Sequence, residues 1–167
     1  MKRTPLKKGT KEMKRSGFKV KTAPRIKKRS TGQIEGNKRK VKTQAQLKKT
    51  LDSIFSIFIR QKYADKQTGM VTCYTCSTTK HWKEMQNGHW IPRNNLSTRF
   101  SEENCRVQCV GCNMFQKGRP DVFAVNLLKE GVDIVALEQT KHRVFKIDRA
   151  WYEERIAYYS QKIESLV

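Results

Sequence analysis

The residues best equipped for chemistry lie between positions 73 and 117. Cys73 and Cys76, then Cys109 and Cys112, form two Cys-x-x-Cys pairs separated by thirty-two residues. A two-residue gap lets both thiolates of a pair reach one ion from a single tight turn, each about 2.3 Å from a tetrahedral Zn²⁺. Four sulfurs close the coordination sphere. Such a zinc is structural, holds no catalytic water and carries much of the folding free energy of a small domain. Cys105, the odd fifth cysteine, argues against a disulfide framework; it stands in the strand-like run 105–108 and reads as a buried free thiol.

Between and just after the pairs stand three further candidates, His89, Asn104 and Asn113, with Lys117 one helical turn beyond Asn113. A lone histidine near a knuckle is often structural, and that is the reading given to His81 and His142. An interval of thirty-two residues exceeds the roughly 15–20 of a compact zinc ribbon. It accommodates a hairpin, with Lys83–Ile91 going out, a loop over 92–101 and Asn104–Gln108 returning. Lys80, Lys83, Arg93, Arg99 and Arg106 frame that hairpin, and with Lys117 they are the expected phosphate contacts, which hold DNA without reading its sequence.

The flanking elements must position this stretch. Thr43-Gln44-Ala45-Gln46 fits a capping box, and Leu47, Leu51, Ile54, Phe55 and Phe58 recur at helical spacing, which predicts an amphipathic helix over 43–64. A turn at Asp65–Gly69 and a short strand, Met70–Thr72, lead into Cys73. Gly118-Arg119-Pro120 breaks the chain after the second pair, and Pro120 suits the first turn of a helix. Helices follow to 166: one ending at Gly131, a short one over 133–140, an extended segment Arg143–Ile147, and a last helix capped by Asp148. In that helix Tyr152, Ile156, Tyr159, Ile163 and Leu166 form a core-facing stripe. The fold class is small α+β, with a zinc core at 70–118 inside a domain spanning 43–167.

Charge divides the chain sharply. The net charge is +21 with a pI near 10.1, yet residues 1–50 hold nineteen Lys/Arg against two acids (+17) and the rest seventeen against thirteen (+4). Residues 1–42 lack helical or strand periodicity and read as a disordered basic arm that binds nucleic acid. No apolar run reaches the length of a membrane span and the Lys-rich start lacks an apolar secretion core, so a cytoplasmic protein is expected.

The order His89 … Asn104 … Cys109-x-x-Cys112-Asn113 resembles the HNH (ββα-metal) nucleases in a zinc-stabilised, treble-clef-like form. The run "VTCYTC … WKEMQNGHWIPR … STRFSEENCRVQCVGCN" is similar, more specifically, to the phage NinG/Rap recombination nucleases, over about residues 45–165. The resemblance implies a DNA endonuclease that cuts branched recombination intermediates, four-way (Holliday) junctions or D-loops, by metal-dependent phosphodiester hydrolysis in the host-cell cytoplasm. It makes His89 the general base on water, a task suited to a neutral imidazole. Asn104 fixes the loop around His89. Asn113 helps to hold a catalytic Mg²⁺ or Mn²⁺, which offsets charge on the scissile phosphate and the leaving 3′-oxygen. A second copy of the chain and recombination proteins enter as partners on the same grounds.

One departure from the HNH pattern stands out: Gly88 precedes His89 where many members carry a metal-binding Asp or His, leaving Asn87, Gln116 or water to complete the ligand set. It keeps open a second reading, a non-catalytic zinc-dependent DNA-binding protein of recombination. A zinc protein for RNA is the third.

Overall fold

The computed structural model describes residues 41–144 and 146–166, so the basic arm expected over 1–42 lies outside the described residues except for Val41 and Lys42. Thr43, in extended conformation, opens α1 (Gln44–Lys62). Its hydroxyl accepts from Gln46 N–H at 3.3 Å while Gln46 Oε1 accepts from Thr43 N–H at 2.8 Å, the full capping box. Leu47, Leu51, Phe55, Phe58 and Ile59 line the buried face of α1. At about 1.5–3 kcal/mol for each large apolar side chain removed from water, this stripe outweighs the modest helix propensity of its aromatics. The chain turns at Asp65, whose carboxylate accepts from the Gln67 and Thr68 amides, and at Gly69, where φ is +68°.

Next come two antiparallel pairs. β1 (Met70–Thr72) pairs with β2 (Thr79–His81), Val71 opposite Lys80; β3 (Gln86–His89) pairs with β4 (Cys105–Gln108), Gly88 opposite Arg106 and His89 opposite Cys105. The outgoing strand expected from Lys83 starts only at Gln86, because Trp82–Glu84 forms a 3₁₀ turn capped by His81, whose Nδ1 accepts from Lys83 N–H at 3.2 Å. The loop expected over 92–101 holds a short helix, α2 (Leu96–Arg99).

Past β4 the chain makes one π-helical turn, Gly111–Phe115, closed by Gln116 N–H on Gly111 O at 3.0 Å. Then follow α3 (Pro120–Lys129), α4 (Ile134–Lys141) and α5 (Arg149–Glu164). Asp148 caps α5 through Trp151 N–H at 2.8 Å. The segment Arg143–Ile147, expected to be extended, forms no strand among its described residues.

Helix α1 is the spine of the core. The Tyr159 ring on α5 sits 4.9 Å from Phe55 and 5.0 Å from Phe58, and Phe100 reaches Phe55 edge-on at 5.9 Å. Cys105 and Val107 of β4, with Met85, close the same cluster from the sheet side. Together these make a small α+β domain whose helices hold β3 and β4, and the residues between them, in fixed register. Among the described residues no helix is long and apolar enough to cross a membrane.

Candidate functional site

The Cys-x-x-Cys pairs come together. Cys73 and Cys76 sit in the turn between β1 and β2, where Cys73 N–H donates to Thr78 O at 2.8 Å; Cys109 and Cys112 sit where β4 passes into the π-helical turn. The four Sγ atoms lie within 4.8 Å of one another, and Cys76 and Cys109 are 3.7 Å apart. A tetrahedral zinc with thiolates at about 2.3 Å places its sulfurs roughly 3.8 Å apart, so the cluster fits that ion. Backbone amides point at two of the sulfurs: Cys109 N–H donates to Cys73 Sγ at 3.3 Å and Cys112 N–H to Cys109 Sγ at 3.4 Å. Cys105 is outside this cluster and fully buried in β4, and burial pushes its thiol pKa up. It is a core residue.

Gln108 ties both knuckles together from the last position of β4. Its Nε2 donates to Thr75 Oγ1 at 3.0 Å, inside the first knuckle, and to Gly118 O at 2.7 Å, beyond the second. The side chain is fully buried and its Oε1 has no donor among the described residues. It lies over Gly88: a Cβ built there would meet Gln108 Oε1 at 2.1 Å and Cδ at 2.7 Å. A side chain at position 88 would therefore have to displace the Gln108 amide, which fills the space a metal-binding side chain would enter.

His89, at the end of β3, is largely enclosed. Its Nε2 lies 3.1 Å from the Arg99 carbonyl, which can only accept, so Nε2 carries the proton and Nδ1 is the basic nitrogen. Burial lowers the imidazole pKa to about 4; the Arg99 carbonyl pulls it back in part, and the Arg93 charge lowers it further. The ring is neutral at neutral pH. Asn104 holds the backbone around it. Fully buried, its Oδ1 accepts from Ile91 N–H at 2.7 Å, and its Nδ2 donates to Ile91 O at 3.0 Å and Thr98 O at 3.1 Å. These bonds clamp the segment that leaves β3 against α2, whose last residue, Arg99, supplies the carbonyl that orients His89.

Asn113, on the π-helical turn, donates from Nδ2 to Gln86 Oε1 at 2.6 Å. That bond fixes the amide and leaves Oδ1 without a donor among the described residues. Two clefts meet here. One, of about 640 Å³, runs along α1 and β3; the other, of about 440 Å³, opens toward Lys117 and Pro120. Both are lined by Asn87, His89, Arg93 and Asn113. Here an imidazole, a side-chain amide and cationic side chains line common space, an arrangement able to hold a phosphate beside a residue that can take a proton.

The expected phosphate contacts divide. Arg93 and Lys117 line the clefts; Lys117 is exposed, has no ion pair among the described residues, and is held at φ +52°. Lys80 and Lys83 are exposed on the β1–β2 side and line neither cleft. Arg99 and Arg106 are structural instead. Arg99, 13% exposed, grips Asp52 of α1 with Nε on Oδ1 at 2.7 Å and Nη2 on Oδ2 at 2.6 Å. Arg106, 8% exposed, pairs with Glu130 at 2.6 Å, donates to the Glu102 and Cys105 carbonyls, and lies between the Tyr63 and Tyr74 rings. Both guanidinium groups are committed within the fold.

Reading the sequence for its apolar stripes missed the contribution of α1 to the site. Lys49, Asp52, Ser53, Ser56 and Arg60 line the larger cleft. Their spacing of i, i+3, i+4, i+7 and i+11 is itself helical, so a polar face is legible once α1 is known to bury its other side. Asp52 is the sole carboxylate on this cleft, and Arg99 and Arg93, the latter at 3.4 Å, occupy it.

Among known proteins, one family stands out: the model described as Bacteriophage Lambda NinG protein matches residues 2–167. No curated protein and no solved structure matches the chain.

Proposed function

The chain belongs to the bacteriophage lambda NinG family, and from that premise we propose that it is a metal-dependent DNA endonuclease of HNH type that cuts branched recombination intermediates. The observation that carries the proposal is the meeting of His89 and Asn113 on shared clefts, with His89 Nε2 committed to the Arg99 carbonyl. Nδ1 of His89 takes the proton of a water attacking the scissile phosphate. Asn104 keeps the ring in that tautomer by fixing the segment that carries Arg99. Arg93 and Lys117 draw the phosphate into the cleft and balance its charge.

A divalent cation, Mg²⁺ or Mn²⁺, when bound, offsets charge on the phosphate and the leaving 3′-oxygen. The residues present fit such an ion in part: Asn113 Oδ1 is a hard oxygen without a donor, and substrate phosphate oxygens complete the set, as is usual for Mg²⁺. The four cysteines would hold a structural zinc that sets β4 and the Asn113 turn at a fixed distance. Branched DNA as substrate, recombination proteins as partners and the host-cell cytoplasm as location belong to the same proposal.

The Gln108 side chain over Gly88 favours a second reading, a zinc-dependent DNA-binding protein without catalysis, because it leaves the cation one protein ligand short. One experiment separates the two: labelled four-way junction, D-loop and linear duplex are incubated with the protein, with Mg²⁺ or Mn²⁺ and with neither. Metal-dependent cleavage of a branched substrate supports the enzyme; binding without cleavage under every condition sinks it.

A further inference from the structure

The turn that carries Asn113 presents a feature the hydrolytic chemistry does not use. Phe115 is 80% exposed and Met114 61% exposed, side by side on the π-helical turn, with half-exposed Val110 at its start. Single exposed apolar residues are ordinary, but a phenyl ring and a thioether pushed into water beside a reactive cleft form a patch. The turn is stiff. Cys109 and Cys112 anchor it to the cysteine cluster, Asn113 to Gln86, and Met114 Sδ accepts from Gln86 Nε2 at 3.4 Å. The i→i+5 closure, Gln116 N–H on Gly111 O, adds a residue to the helical step. The local sequence is one-sided in charge: residues 104–120 contain no Asp or Glu, and Lys117, two positions after Phe115, is exposed and has no ion pair among the described residues. An apolar ring two positions from an exposed lysine suits a ligand that is flat, apolar on its faces and anionic at its edge. A nucleobase on its backbone is such a ligand.

We propose that Phe115, supported by Met114, stacks on the unpaired or loosened base at a DNA branch point while the adjacent cleft holds the phosphate. The proposal rests on the reading of the clefts as a DNA site and names what selects the substrate: in a continuous duplex every base is already stacked, and opening a step costs a few kcal/mol, whereas a junction offers a base whose stacking is interrupted. Stacking on an aromatic side chain strengthens binding by about tenfold per base, enough for branch preference without base-edge readout.

The test uses binding, so it does not depend on cleavage. A four-way junction carrying 2-aminopurine at the branch point is titrated with the full-length protein in Ca²⁺ buffer without Mg²⁺ or Mn²⁺. Wild type should lower the probe's emission as Phe115 stacks on it; Phe115→Ala should abolish the fall and weaken junction affinity about tenfold while leaving linear-duplex affinity unchanged. Phe115→Tyr should restore both. Zinc content and thermal unfolding of each variant confirm the fold. Unchanged junction affinity and emission in Phe115→Ala overturn the proposal, as does a Phe115→Ala variant that drops from dimer to monomer in sedimentation, since a second copy would then cover the patch. If wild type binds junctions in this way yet cuts nothing, the endonuclease reading fails and the stacking role stands.

Discussion

The Oε1 of Gln108 lies 2.1 Å from the point where a Cβ on Gly88 would begin. This contact accounts for the least typical position of the site. A side chain at 88 would displace the amide that links Thr75 to Gly118 and so holds both knuckles to β4. Gly88→Ala should therefore lower stability by about 1–3 kcal/mol through overpacking, and Gly88→Asp by more. In the Gly88→Ala background, Gln108→Ala should cost less than it does alone. Urea denaturation of the four proteins gives the cycle; wild-type stability in Gly88→Ala would show that the segment moves aside freely.

The cysteine cluster should be a condition of folding. Cys109→Ser removes one of four thiolates and the sulfur that accepts from Cys112 N–H. Loss of bound zinc, of helical circular dichroism and of cooperative unfolding is expected together. A Cys109→Ser protein that is metal-free and still folded would contradict the structural zinc.

With the His89 pKa lowered to about 4, chiefly by burial, the imidazole proposed as base stays neutral well below neutral pH. Single-turnover cleavage should then vary less than about threefold between pH 7.5 and 5.5, with the acid limb falling toward pH 4. A limb centred near 6.5, the ordinary histidine value, would mean that the ring is solvated in the working state. The same shift makes a stability statement. Between about pH 6.5 and 4 the unfolded chain binds the proton and the folded one does not, so this contribution is full above pH 6.5 and is lost as pH falls to 4.

The cations should separate into two kinds. Arg99→Lys breaks a bidentate grip on Asp52 that a point charge cannot reproduce; it should destabilise the fold by about 1–3 kcal/mol, without changing the salt dependence of duplex binding. Arg93→Ala and Lys117→Ala should do the reverse, leaving stability near wild type and each reducing the slope of log affinity against log salt by about 1. An Arg99 variant of full stability and flattened slope would return that residue to the phosphate contacts.

These cases also mark what was legible in the sequence. Local devices were: the Thr43 capping box, the Asp148 cap, Pro120 at a helix start and the two chelating turns are all written within a few residues. The bonds of Asn104 reach thirteen and six residues back, to Ile91 and Thr98, and its part in holding the loop was legible through the family resemblance. Pairings across the chain were not. Arg99 meets Asp52 forty-seven residues away, and Arg106 meets Glu130 across twenty-four. A basic residue near a hairpin looks the same whether its partner is a phosphate or a distant carboxylate. The role of Gly88 was hidden for the same reason, since the amide that fills its place comes from the opposing strand.

The most direct measurement takes His89→Ala to a labelled four-way junction with Mg²⁺, reading binding and cutting in parallel. Junction affinity should match wild type while the cleavage rate falls about 10²–10⁴-fold, the range contributed by a positioned general base. Cutting at the wild-type rate would contradict the account at its centre, because the proton would then be leaving by another route.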